Sequence, residues 1–150
     1  MPHSVAITSD PIVAPAVLDL VGDPGDGAVL LFLGTVRNHN DGRAVGGLRY
    51  EAYPEMGEVV LAEIATEAEE RFGTDRIAIV HRVGDLAIGE VSVAVAVSSP
   101  HRGESFDGAR YVMEELKRRL PVWKHEAYTD GASAWVAGTE PSGVAGEVEG

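Results

Sequence analysis

Apolar residues recur with a period near two in some stretches of the chain and at spacings of three and four in others. Each change of period marks an element. Ser4 to Thr8 reads as a short strand, and Ile12 to Val21 as a short helix containing Pro15, ended by the turn-rich GDPGDG at 22–27. AVLLFLGTV, Ala28 to Val36, is almost continuously apolar, which predicts a strand buried on both faces. RNHNDGRAVGG, 37–47, is expected to be a polar, turn-rich loop, and Leu48 to Tyr53 alternates as a strand. Pro54 opens a helix of roughly 20 residues that Gly73 stops. DRIAIVHRVG, 75–84, and the β-branched VSVAVAVSS, 91–99, are the next strands.

A second long helix is expected over 104–119, where Phe106, Ala109, Met113, Leu116 and Leu120 form an amphipathic stripe with Lys117 at its polar edge. Pro121 cannot continue that helix, so VWKHEAYT is extended and Lys124 enters a strand. Lys117 and Lys124 therefore converge only if the turn at Leu120 and Pro121 folds the strand back beside the helix end. The segment 137–150 is acidic, glycine-rich and poor in bulky apolar residues, so a mobile tail is expected after a single domain spanning 1–137. Alternating strands and helices predict an α/β or α+β sandwich with helices over a sheet.

Charge changes this picture at one place. The 150 residues carry a formal charge of −12, yet 101–125 sums to +2 and the remainder to −14, and both lysines of the chain lie in ELKRRLPVWKHE, 115–126. An acidic surface excludes nucleic acid and anionic membranes as partners, whereas a local basic patch suits a small anion held in a pocket. No apolar run approaches the ~20 residues that span a bilayer, and no basic leader precedes an apolar segment, so a cytoplasmic protein is expected. Cysteine is absent, which removes disulfides, thiolate metal sites and a cysteine nucleophile. The five histidines lack the paired spacing of a metal site, and no serine nucleophile elbow occurs. The paired carboxylates Glu69-Glu70 and Glu114-Glu115 read as solvated helix faces.

The chemistry-bearing cluster is SSPHRGES, 98–105, where a buried strand gives way to a helix. A helix start offers free backbone N–H groups and the positive end of the dipole, to which His101 and Arg102 add donors and charge. Arg37 follows the end of another strand in the same way.

The segments FLGTVRNHN, YEAYPEM, HRVGDLAIGEVSVAVAVSSPHR and LKRRLPVWKHE, in that order, resemble the catalytic large subunit family of molybdopterin synthase, over about Gly27 to Val136. Pro100 stands where some members have alanine, and Val122 where others have isoleucine or phenylalanine. Neither change removes a functional group. The resemblance implies an α/β hammerhead fold, a mixed sheet covered by helices with a small additional antiparallel sheet. It also implies a sulfurtransferase of molybdenum cofactor biosynthesis that converts cyclic pyranopterin monophosphate to molybdopterin. Two dithiolene sulfurs are taken from the Gly-Gly thiocarboxylate of a small ubiquitin-like partner, without metal or cofactor.

Matched by motif, Lys117 and Lys124 are the implied catalytic residues; Arg37, His101, Arg102, His125 and Glu126 join them in binding substrate. Fixed cations would offset the repulsion between an anionic pterin and an anionic sulfur donor, and lysine also shuttles protons. A small pterin cannot reach both ends of the expected helix, so a two-fold homodimer sharing its pockets, within a heterotetramer, is expected. Two other classes fit the same residues: a non-catalytic binding module for a phosphorylated metabolite, and a scaffold that docks a partner's tail.

Overall fold

The computed structural model describes residues 3–136. The tail expected to be mobile lies outside them. Twelve elements occur in the order β1 (His3–Thr8), α1 (Ala14–Leu18), β2 (Ala28–Thr35), β3 (His39–Asn40), β4 (Arg43–Ala52), α2 (Pro54–Phe72), β5 (Arg76–Arg82), β6 (Gly84–Leu86), β7 (Val91–Ser99), α3 (Arg102–Arg119), β8 (Val122–Tyr128) and β9 (Ser133–Val136). They form two sheets in a mixed α+β architecture.

The first sheet has the order β1-β5-β7-β2 and is mixed: β1 runs parallel to β5, and the other neighbours are antiparallel. Parity along its strands divides two apolar clusters. Ile77, Ile79, Val93, Val95 and Val97 face α2 and α3, where Leu61, Ile64, Ala65, Val112 and Leu116 complete the main core. Ala78, Ala94 and Ala96 face the other way, and their small side chains admit α1 through Val17.

β2 departs from the expected double burial: Val29 is 53% exposed, Phe32 39% and Leu33 37%. The cause is its place at the sheet edge. Helix α1 has five residues, shorter than the stretch expected over 12–21, and it covers Leu31 but not the flanking Val29 and Leu33.

The second sheet, expected as a small addition, contains five strands in the order β3-β4-β8-β9, with β6 also paired to β4. Here the polar loop expected over 37–47 is corrected. Asn40 pairs with Arg43 around Asp41 and Gly42, both at positive φ (50° and 77°), so the segment is a tight hairpin leading straight into β4. The 75–84 segment also divides. Gly84, at φ 99°, turns the chain out of the first sheet and into the second, where it pairs with Tyr50. α2 ends as expected at Gly73 in the left-handed region, its N–H donating to the Glu69 carbonyl.

Candidate active site

The junction of α3 and β8 contains no loop. α3 runs two residues further toward the N-terminus than expected and is capped at its C-terminus by Leu120, whose N–H donates to the Leu116 carbonyl at 2.9 Å. Val122 N–H then donates to the Leu120 carbonyl at 2.9 Å, and β8 has begun. Leu120 and Pro121 are fully buried, so the turn is anchored in the core. Lys117 occupies the last helical turn and Lys124 is the third residue of the strand.

Strand parity sorts the residues of β8. Lys124 and Glu126 share one face with Tyr50 of β4, which pairs directly with Lys124. Glu126 is 4% exposed; its carboxylate accepts from Asn40 Nδ2 at 2.9 Å and from the Tyr128 hydroxyl at 2.8 Å. The Glu126 carboxylate pushes the Tyr128 phenol above its usual value. Burial does the same to Tyr50, with the negative charge of Glu126 adding to it. His125 projects to the opposite face, its ring tilted against Trp135 with centroids 4.8 Å apart. Within one chain the structure thus brings Lys124 and Glu126 together and sets His125 apart from them.

Behind this face lies His81, at the end of β5. Its ring meets the Tyr50 ring edge-on, with centroids 5.1 Å apart and planes at 80°. Its Nδ1 lies 2.9 Å from the Arg82 carbonyl oxygen. A carbonyl only accepts, so Nδ1 carries the hydrogen and neutral Nε2 keeps its lone pair. Burial, together with the positive charge of Lys124, lowers the His81 pKa to about 4.

The other sequence candidates gather at the far end of α3. Ser99 Oγ donates to the His101 carbonyl at 2.7 Å and meets the Ser105 hydroxyl, closing the strand-to-helix turn from beneath. The His101 side chain, which precedes the helix, is 85% exposed and makes no hydrogen bond to the helix start. The GDPGDG turn, expected only to connect, also braces this corner. Gly22 N–H donates to Ser98 Oγ at 3.0 Å and Gly27 N–H to the Pro100 carbonyl at 3.1 Å. Arg37 leaves β2 after a register shift between Gly34 and Thr35, and Val36 N–H donates to the Glu90 carbonyl at 3.0 Å. The three cation-bearing corners are therefore the end of β2, the start of α3 and the junction of α3 with β8.

The neighbouring arginines separate from this set. Arg118 Nη2 pairs with Glu115 at 2.7 Å, and Arg119 joins Glu67, Glu115 and Glu63 at 2.6, 3.1 and 3.6 Å. Among the described residues no group of three or more His, Asp or Glu is arranged to hold a metal ion.

Tyr50, His81, Asn40 and Tyr128 were not foreseen as site residues. Asn40 and Glu126 are 86 positions apart, so only the pairing of β3, β4 and β8 brings them together. His81 left a faint signal, a histidine directly after the apolar run Ile77 to Val80 of β5.

Residues 7–119 match the family described as MoaE protein. A molybdopterin synthase catalytic subunit of Halalkalibacterium halodurans is 46% identical over 131 residues, covering 87% of this chain and 83% of that protein. Molybdopterin synthase catalytic subunit 1 of Mycobacterium tuberculosis is 42% identical over 130 residues, covering 87% and 88%. Among solved structures, molybdopterin synthase from Staphylococcus aureus superposes with a TM-score of 0.83 at 38% identity, over 88% of this chain and 96% of that one.

Proposed function

The chain belongs to the MoaE protein family, and on that premise we propose that it is the catalytic subunit of a molybdopterin synthase, a sulfurtransferase of molybdenum cofactor biosynthesis. It converts cyclic pyranopterin monophosphate to molybdopterin by placing two sulfurs on the pterin side chain as a dithiolene. The sulfur donor is the C-terminal thiocarboxylate of a small ubiquitin-like partner, in keeping with relatives that are named as a catalytic subunit. Among the described residues no helix is long and apolar enough to cross a membrane, and the reading carries the expectation of a cytoplasmic enzyme.

The observation that carries the reading is the loop-free junction that sets Lys117 and Lys124 on either side of a buried turn. Both reactants are anions. Cations fixed on a helix end and a strand need little reorganisation when the reactants meet, which is where electrostatic stabilisation is worth most. Lys117 moves a proton or forms a transient covalent bond at the carbon receiving sulfur, and Lys124 orients the thiocarboxylate and the pterin. Arg37, His101 and Arg102 hold the phosphate, the last two beside the open N–H groups at the start of α3. Glu126 belongs to the pocket wall behind Lys124, and His125 to the rim on the other face.

α3 has 18 residues, about 27 Å at 1.5 Å each, so His101 and Lys117 of one chain cannot both reach one pterin. The reading therefore includes a two-fold homodimer in which the start of α3 from one subunit completes the pocket of the other, with one small partner at each site. The exposed apolar edge of β2, with Val29, Phe32 and Leu33, supplies surface for such contacts. The deciding experiment mixes this protein with a thiocarboxylated ubiquitin-like partner and the cyclic pterin. Dithiolene product, detected after oxidation to its fluorescent pterin derivative, is the expected result. Binding of both reactants without product would overturn the catalytic reading.

A further inference from the structure

The penultimate residue of β5 is a buried histidine. Its cross-strand neighbours are Ile7 and Val93, and the strand interior before it is apolar. At 7% exposure an imidazole is costly to bury unless its polar atoms are used. One is used by the Arg82 carbonyl, which fixes both tautomer and ring plane. The second sheet covers the ring with Tyr50, and Tyr50 stands beside Lys124 on adjacent strands of that sheet. Three residues from three strands, His81, Tyr50 and Lys124, thus meet where the two sheets join.

We propose that His81 is a positioning residue for Lys124: its imidazole, locked by the Arg82 carbonyl and the Tyr50 ring, forms the inner wall of the lysine's site and presents neutral Nε2 toward it.

The groups facing this wall define its electrostatics. Tyr50 comes from β4, Lys124 from β8, and Glu126 lies one step further along the same face of β8, where its charge is felt by Tyr50. The Arg82 side chain alternates to the other side of β5 and pairs with Glu90 at 2.9 Å. Lys124 is near enough for its charge to oppose protonation of His81. Coupling between two sites is reciprocal, so a His81 that stays neutral through the working pH range spares Lys124 a second positive charge and leaves a lone pair to steady its amine. No covalent step is assigned to His81.

Two measurements test this, and only the second rests on the proposed sulfur transfer. In the first, the imidazole nitrogens of ¹⁵N-histidine-labelled protein are titrated by NMR, in wild type and in Lys124→Met. The expected results are the Nδ1–H tautomer in both, and a midpoint for His81 that rises by about half a pH unit or more when the neighbouring charge is removed. A midpoint that stays in place, or the other tautomer, overturns the proposal without bearing on the function.

In the second, His81→Leu and His81→Gln are compared with wild type in the reconstituted reaction, alongside their melting midpoints and partner affinity. His81→Leu is expected to bind partner normally, to lose at least tenfold in kcat with a small change in KM, and to move the pH of half-maximal turnover. His81→Gln, which restores a neutral polar group, should recover part of both. An unchanged pH profile in a folded His81→Leu protein would mean that the ring merely fills space. Should neither variant fold, the titration decides.

Discussion

Arg119, in the last turn of α3, reaches across to Glu67 in the C-terminal half of α2 and holds both carboxylate oxygens, at 2.6 and 3.1 Å. The Tyr111 hydroxyl donates to the same Glu67 at 2.7 Å, so the contact clamps the C-terminal end of α3 onto its neighbour. The basic run beside Lys117 is therefore divided: one arginine tightens the scaffold and does not extend the cationic pocket.

Replacing Arg119 with methionine is expected to cost about 1 kcal/mol of unfolding free energy, a modest figure because both partners remain partly open to solvent that screens them. The pH dependence has a definite sign. Arg119 holds the Glu67 carboxyl below its usual value of 4.5. A carboxyl lowered in the folded state stabilises the fold above its unfolded pKa and loses that contribution as pH falls through the folded value. Urea titrations should thus show a constant difference between wild type and Arg119→Met at neutral pH that shrinks once the pH drops below about 4.5. A difference that persists in acid would assign the effect to packing of the side-chain stem.

Gly27→Ala should destabilise the corner at the start of α3. A Cβ there would stand 2.7 Å from the Pro100 carbonyl oxygen, a backbone atom with little room to move. A loss of about 1–3 kcal/mol is expected, typical of overpacking against a fixed neighbour. Gly103→Ala is the control: it lies in α3 with open space around the new methyl, and helix propensity alone favours it by up to about 1 kcal/mol. Differential scanning of the two variants should place their melting midpoints on opposite sides of wild type.

Lys117→Arg keeps the positive charge but replaces an amine suited to proton transfer or a transient covalent bond with a guanidinium that serves neither. Turnover should fall by a factor of 100 or more, as expected for loss of a general acid or base, while affinity for the pterin stays within about threefold, since charge alone governs that part. Retained turnover would restrict Lys117 to binding.

Shared pockets predict complementation. His101→Ala and Lys117→Ala proteins, each inactive alone, should regain activity when mixed under conditions that exchange subunits. At random 1:1 pairing half the dimers are mixed and each has one intact pocket, so recovery should reach roughly a quarter of wild type. No recovery despite proven exchange would mean that each pocket is built within one chain.

Periodicity and capping made most of the framework legible. The apolar spacing from Ala109 to Leu120 located α3, although Phe106, expected to open the stripe, is 58% exposed; Gly73 located the end of α2. The errors have physical causes. The apolar content of β2 cannot tell a buried strand from an edge strand whose covering helix is short, and only the strand order exposes Val29 and Leu33. The hairpin at Asp41-Gly42 was written in its turn residues but hidden by polar flanks. The two lysines stood out because the rest of the chain contains none. The wall behind Lys124 did not, because Tyr50 and His81 become neighbours only where β6 carries the chain from one sheet into the other.

The passage from α3 to β8 through Leu120 and Pro121, without a loop, has a consequence for how this chain can change length. One residue added between Lys117 and Lys124 has nowhere to bulge. Placed before Leu120, it would turn the helix by about 100° against the turn; placed after Pro121, it would flip every side chain of β8 to the other face. In the first case Lys117 swings off its edge of α3; in the second Lys124 and Glu126 leave Tyr50, and Trp123 or His125 takes their place. The seven-residue interval between the lysines is thus a mechanical dimension of the fold. Insertions tolerated elsewhere on this surface should be lethal to the site here even where the protein still folds.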